Sequence, residues 1–254
     1  MITDFPPATS APLPRRDLLA VVGSLTALTV LAWAYLLSLA GAMAPMGAMT
    51  APMVWGPAEA TTGFVMWTVM MAGMMLPSAS PMILLFTRLQ GRRSGTWART
   101  ASFGAGYLLV WTAFSAAATA LQWGLQWLGL LAGDALNHNA AGGAVLVGAG
   151  LYQFTAIKQS CLARCQSPLG FLMSHWRAGT RGALQLGVSH GGYCLGCCWV
   201  LMLILFVGGV MNLLWAAGLG ALALVEKVVP AGPWLARAAG VGLVAAGVML
   251  AVPH

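Results

Sequence analysis

The stretch ALQLGVSHGGYCLGCCWVLMLILFV, residues 183–207, runs for 25 residues without an Asp, Glu, Lys or Arg. A transmembrane helix needs about 20 predominantly apolar residues, so this stretch predicts one. The whole chain shares this character, because 59% of its 254 residues are hydrophobic and 7% are charged. Soluble domains carry roughly 25% charged residues. We therefore expect an integral membrane protein.

Outside this stretch, six more apolar runs are bounded by charges or by Gly/Pro clusters. They predict an all-α, polytopic bundle of about seven transmembrane helices, or six if the last run only lies at the interface. Residues 1–17 are expected to form a disordered, Pro-rich tail before a single transmembrane domain, 18–254. The predicted spans are 18–40, 60–86, 101–131, 141–157, 183–207, 210–228 and 235–252.

The basic residues predict the orientation of the bundle. With the N-terminus in the cytoplasm, all 12 Lys and Arg residues fall in cytoplasmic segments, while Glu59 and Asp134 fall in the outer loops. Such a split follows the positive-inside rule. It also accounts for the net charge of +7 without a nucleic-acid partner, so the expected partner of this surface is the lipid bilayer.

The quoted stretch places a histidine and three cysteines within nine residues. At about 100° per residue, His190, Cys194 and Cys197 share one narrow helix face, with Cys198 at its edge. A histidine in a membrane segment usually faces the bundle interior, and thiols with imidazole suit Cu(I) or Zn(II). We interpret the four residues as metal ligands, with simple packing of small side chains as the alternative.

Methionine recurs along the second predicted span, in MWTVMMAGMMLPSASPM at 66–82. Three methionines follow one helix face at i, i+4 and i+8, and two lie beside them. Thioether sulfur is a soft ligand that favours Cu(I), whereas flexible filling of the core is the alternative. The methionine stripe comprises Met66, Met70, Met71, Met74 and Met75.

A second group of methionines lies in the preceding outer loop, GAMAPMGAMTAPM at 41–53. The loop is rich in Ala, Gly and Pro, so packing is a poor reason for them. They indicate secondary capture of Cu(I) outside the membrane, where cysteine would oxidise, although low-complexity drift is the alternative. These residues are Met43, Met46, Met49 and Met53.

Two further cysteines, Cys161 and Cys165, are spaced i, i+4 at the predicted cytoplasmic end of the fourth span. The predicted soft ligands form a series by depth. It runs from the methionines of the outer loop through the methionine stripe and the His/Cys face to the inner thiol pair. Glycines beside the His/Cys face let another helix approach. We expect that helix to be the second span, so that Met70 or Met74 completes the site.

Glu226 and Lys227 are adjacent charges at the inner end of the sixth span. An interfacial anchor, with the lysine reaching towards water, is the expected role. The alternative is that Glu226 pairs with a basic residue of another helix.

The chain resembles the bacterial predicted metal-binding integral membrane proteins, some of which are labelled copper chaperones. The resemblance lies in the stretches 66–82, 152–171, 191–199 and 211–230. It implies a protein of the bacterial inner membrane that handles a metal. The residues it implies as ligands are Cys161, Cys165, Cys194, Cys197, Cys198 and the methionine stripe.

The favoured function is a membrane-embedded carrier, chaperone or transporter of copper(I) that is not an enzyme. Zinc is an alternative metal, and haem, held axially by His190 and a methionine, is the least favoured. Its partner would be a periplasmic copper protein or a membrane copper-enzyme complex under assembly. Two other functions stay open: a thiol–disulfide oxidoreductase using Cys194 and Cys197, and a structural subunit of a larger membrane complex.

Overall fold

The computed structural model describes residues 15–43, 56–91, 94–137 and 139–252. This part of the chain is helical apart from a two-stranded antiparallel hairpin, β1 (Leu131–Ala132) and β2 (Ala135–Leu136). The helices are α1 (Arg15–Met43), α2 (Pro57–Gln90), α3 (Thr96–Trp127), α4 (Asn139–Tyr152), α5 (Ala156–Gln166), α6 (Pro168–His175), α7 (Gly179–Leu203), α8 (Leu205–Gly208), α9 (Leu213–Val228) and α10 (Gly232–Ala251).

Each of the seven predicted spans coincides with a helix or with a broken helix. In the described residues, α1, α2, α3, α7 with α8, and α10 are long and apolar enough to cross a membrane. The pair α4 and α5, bent by 62°, adds a sixth candidate. Helix α9 has 16 residues, fewer than the roughly 20 that a simple span needs. The seven-span count and the orientation therefore stay predictions.

The ends of the chain and the outer methionine loop are only partly described. Helix α1 begins at Arg15, within the predicted tail, and residues 1–14 lie outside the described residues. Met43 ends α1, whereas Met46, Met49 and Met53 lie outside the described residues. Capture of copper by this loop therefore stays a prediction.

The second helix is the central helix of the bundle. The most apolar 18-residue segment of α2 is 61% buried, whereas the corresponding segment of α1 is 6% buried. Pro81 cannot donate the helix bond to the Pro77 carbonyl, and the Ser80 hydroxyl donates to that carbonyl instead, at 2.8 Å. The chain thus keeps a proline-containing helix continuous through the core, with the methionine stripe on it.

The glycines of α7 bring α3 and α5 close, not α2 as predicted. A Cβ atom on Gly191 would lie 3.0 Å from Val110 of α3, and one on Gly187 would overlap the Phe103 carbonyl. On Gly196 it would lie 2.8 Å from the Cys161 sulfur of α5. The spacing of the glycines predicts a face of α7 that another helix approaches closely, but it does not predict which helix that is.

Helix α9 reaches the core because it packs against α2. Met74 lies over Gly220, where an added Cβ would meet the Met74 side chain at 3.3 Å. The N-terminus of α9 is capped by Asn212, whose side-chain oxygen accepts from the Trp215 amide at 3.1 Å. This packing buries Glu226 and Lys227 at the far end of the helix, with 1% and 6% of their surfaces exposed.

Candidate metal centre

Helix α7 directs its histidine and its three cysteines into the protein. His190, Cys194, Cys197 and Cys198 are all buried. The thiols of Cys197 and Cys198 both donate to the Cys194 carbonyl oxygen, each at 3.0 Å. Cys198 therefore belongs to the interior as much as the others do, and it is not at the edge of the site as predicted.

Helix α2 supplies a sulfur to this group. The whole methionine stripe is buried, and Met75 is the member that meets a cysteine, because its Sδ lies 4.0 Å from Cys198 Sγ. The sequence predicts Met70 or Met74 in this place, but Met74 packs over Gly220 of α9. We call Cys194, Cys198 and Met75 the sulfur cluster.

Lys227 of α9 projects its ammonium group into the sulfur cluster. Its Nζ lies 2.9 Å from Cys194 Sγ, 3.7 Å from Cys198 Sγ and 3.8 Å from Met75 Sδ. It also donates to the Ser78 hydroxyl at 3.2 Å. The role expected for Lys227, an anchor reaching towards water, is wrong because the ammonium is buried among sulfur atoms.

Tyr107 of α3 links two members of the sulfur cluster. Its buried hydroxyl lies 3.0 Å from both the Met75 carbonyl oxygen and Cys194 Sγ. The hydroxyl has one hydrogen, so it can donate fully to only one of them at a time. Tyr107 therefore fixes α2 and α7 relative to each other at the cluster.

The thiols of α5 lie beside the cysteine face of α7. The thiols of Cys165 and Cys197 interact with each other across the two helices. Cys161, which is half-buried, packs its sulfur against Gly196. The structure thus brings both predicted thiol groups together across two helices.

His190 lies among aromatic rings of α3 and α6. Its ring centroid is 5.5 Å from that of Phe171, 5.6 Å from that of Tyr107 and 6.1 Å from that of Phe103. Among the described residues, its buried Nδ1 has no hydrogen-bond partner. A metal ligand role for His190 stays a prediction.

The donor set of the sulfur cluster is two thiols and one thioether. Within the described residues, no three side chains of His, Cys, Asp or Glu lie close enough together to bind one ion. A single site that joins His190 to the cysteines is therefore not assembled in this part of the chain. Soft sulfur ligands are instead contributed by α2 and α7.

A buried ion pair lies next to the sulfur cluster. Lys158 Nζ of α5 is 2.6 Å from Glu226 Oε2 of α9, and both side chains are buried. Gln153 Nε2 donates to Glu226 Oε1 at 3.2 Å. We call Lys158, Glu226 and Gln153 the charge-paired site. It matches the alternative expectation for Glu226, a partner on another helix.

Sequence reasoning did not assign Tyr107, Lys158 or Lys227 to the site. The sequence does mark Lys227, because a lysine inside a predicted transmembrane span is unusual. Its position near the end of a predicted span concealed that signal. No pattern marked Tyr107, whose role depends on how α3 packs against α7.

Comparison with known proteins identifies a family but no individual relative. No curated protein and no solved structure matches the chain. A family model described as PpoB2, copper chaperone, matches residues 64–250. This range contains the sulfur cluster, the charge-paired site and all four stretches on which the resemblance was based, and it begins after α1. The chain belongs to this copper chaperone family.

Proposed function

We propose that this protein is a membrane-embedded carrier that binds Cu(I) at the sulfur cluster and passes it to another protein. The observation that carries the proposal is the meeting of Cys194, Cys198 and Met75 around a single buried point. Membership of a copper chaperone family supports a role in binding or transferring copper rather than in catalysis.

The ligand chemistry favours Cu(I) over zinc. Thiols and thioethers are soft ligands that select Cu(I). Structural zinc almost always has four ligands in a tetrahedron, whereas the sulfur cluster offers three, one of them a thioether. The Cys165–Cys197 pair, which links α5 to the same helix α7, supplies a second place for a soft ion, so that copper would move between sulfur groups inside the protein.

The setting that we propose is the bacterial inner membrane, with seven spans and a cytoplasmic N-terminus. Five apolar helices of sufficient length and the bent α4–α5 pair support it, as does the distribution of Lys and Arg. The recipient of the copper is then a periplasmic copper protein or a membrane copper-enzyme complex.

Copper content is the direct test. The protein is purified anaerobically after growth with copper, and copper per chain is measured by mass spectrometry for wild type and for Cys194→Ser/Cys198→Ser. We expect about one copper per chain in the wild type and a loss of at least about tenfold in the variant, because hydroxyl oxygen is a poor ligand for a soft ion. Gel filtration and helical circular dichroism check that the variant is folded.

Equal copper in the two proteins would contradict the proposal, and so would a wild type without copper. A thiol–disulfide oxidoreductase is the second candidate, favoured by the contact between Cys165 and Cys197. It predicts that Cys165→Ser traps a mixed disulfide between Cys197 and a partner protein. Non-reducing gels of that variant distinguish the two functions.

A further inference from the structure

The Lys227 ammonium lies inside the group of atoms that would bind the copper. In the part of the chain that the structure describes, its partners are three sulfurs and the Ser78 hydroxyl. The neighbouring carboxylate, Glu226, is bonded to Lys158 instead. A buried charge is costly unless polar groups surround it, so the sulfur cluster acts as the binding site for this cation.

The spacing of the sulfurs also fits a metal ion. Two sulfurs that are each about 2.3 Å from one ion, a typical metal–thiolate distance, lie about 4.0 Å apart at a trigonal angle. Cys198 Sγ and Met75 Sδ are separated by 4.0 Å. They are already at the separation that a shared ion requires, although the ammonium is near that point.

The ammonium and a copper ion cannot occupy the cluster together. The distances from Nζ to the three sulfurs, 2.9, 3.7 and 3.8 Å, leave no room for an ion at bonding distance from the same atoms. Two positive charges so close in a buried site also repel each other strongly. One cation must leave when the other enters.

We propose that Lys227 is an internal competitor for Cu(I), a lysine whose ammonium occupies the sulfur cluster in the metal-free protein and is displaced on loading. This inference rests on the proposed function. Return of the ammonium to the cluster promotes release of the metal, which a carrier needs as much as binding. Lys227 thus weakens the affinity for Cu(I) to a level at which the ion can be transferred to another protein.

The first test measures Cu(I) affinity and release in Lys227→Gln. Affinity is determined anaerobically by competition with a chromophoric Cu(I) chelator, and release by stopped-flow transfer to that chelator. We expect the variant to bind at least about tenfold more tightly and to release more slowly than wild type, because the competing cation is gone. Arg237→Gln, which removes an exposed cation of α10, is the matched control and should match wild type.

Equal or weaker binding by Lys227→Gln would overturn the role of Lys227 and leave the proposed function intact. A wild type that binds no copper would overturn both. Lys227→Arg keeps the charge, and we expect its binding to be no tighter than that of wild type. Tighter binding by this variant would also contradict the competition.

A second measurement uses the wild-type chain and needs a variant only to assign its signals. Lys158 and Lys227 are the only lysines of the sequence, so ¹⁵N-lysine labelling gives two Nζ resonances, assigned with Lys158→Arg. Addition of Cu(I) should shift the Lys227 resonance and leave that of Lys158, which is held by Glu226. Two unchanged resonances in copper-loaded protein would refute displacement.

Discussion

The charge-paired site and the sulfur cluster are neighbours built around the same kind of side chain, a buried lysine. Lys158 meets a carboxylate at 2.6 Å, while Lys227 meets sulfurs at 2.9 to 3.8 Å. The carboxylate neutralises the first lysine, whereas three sulfur atoms and a hydroxyl group hold the second. We infer that the first contact stabilises the fold and that the second is broken when Cu(I) displaces the ammonium.

The largest effect is expected from Glu226→Ala, which removes the partner of Lys158 and tests the structural role of the charge-paired site. Removing one partner of a buried ion pair typically costs about 3–5 kcal/mol because the other charge is left uncompensated. We expect a loss of this size in the free energy of unfolding, measured by denaturant titration in mixed micelles. Copper per folded chain should stay at the wild-type level.

The matched control is Glu59→Ala at the exposed start of α2. In the described part of the chain, the carboxylate accepts only from the Gly56 amide, at 2.9 Å, so we expect a loss of no more than about 1 kcal/mol. If Glu226→Ala were as stable as this control, the charge-paired site would not have the structural role that we assign to it.

Met75→Leu tests the other region, since it should affect copper and not stability. A leucine conserves volume, so the free energy of unfolding should change by less than about 1.5 kcal/mol. The thioether ligand is lost, and we expect Cu(I) affinity to fall at least about tenfold, equivalent to about 1.4 kcal/mol. Chelator competition measures it.

Met249→Leu is the control for Met75→Leu, because Met249 is 70% exposed on α10. It should leave the affinity unchanged. If Met75→Leu bound Cu(I) as tightly as wild type, the thioether would not be a ligand, and the cluster would provide only its two thiols.

Tyr107→Phe should have the smallest effect of the three. It removes the hydroxyl that bridges Met75 and Cys194, and a typical hydrogen bond contributes about 1 kcal/mol to stability. We expect a loss of that order in the free energy of unfolding. Tyr35→Phe, on the exposed helix α1, should change it by a few tenths of a kcal/mol. A loss above about 3 kcal/mol would indicate a role beyond this bridge.

The sequence predicted the helices well because long apolar runs leave few alternatives to a helix. It also predicted that the cysteines of α7 and the methionine stripe face inwards. Periodicity gives the face of a helix but not its neighbour, so α3 lies where α2 was expected, and Met75 takes the place of Met70 or Met74. Lys227 was missed because its burial depends on how α9 packs against α2, which no local pattern encodes.

The two thiols that donate to the Cys194 carbonyl have a consequence for the proposed binding of copper. Thiols are weak donors, and that carbonyl can keep its main-chain partner within α7 when they turn away. Cys198 can therefore reorient by rotation about its side-chain bonds while the backbone of α7 stays as it is. In the proposed function, loading with copper then requires no unwinding of the helix, and repeated binding and release need no partly unfolded state.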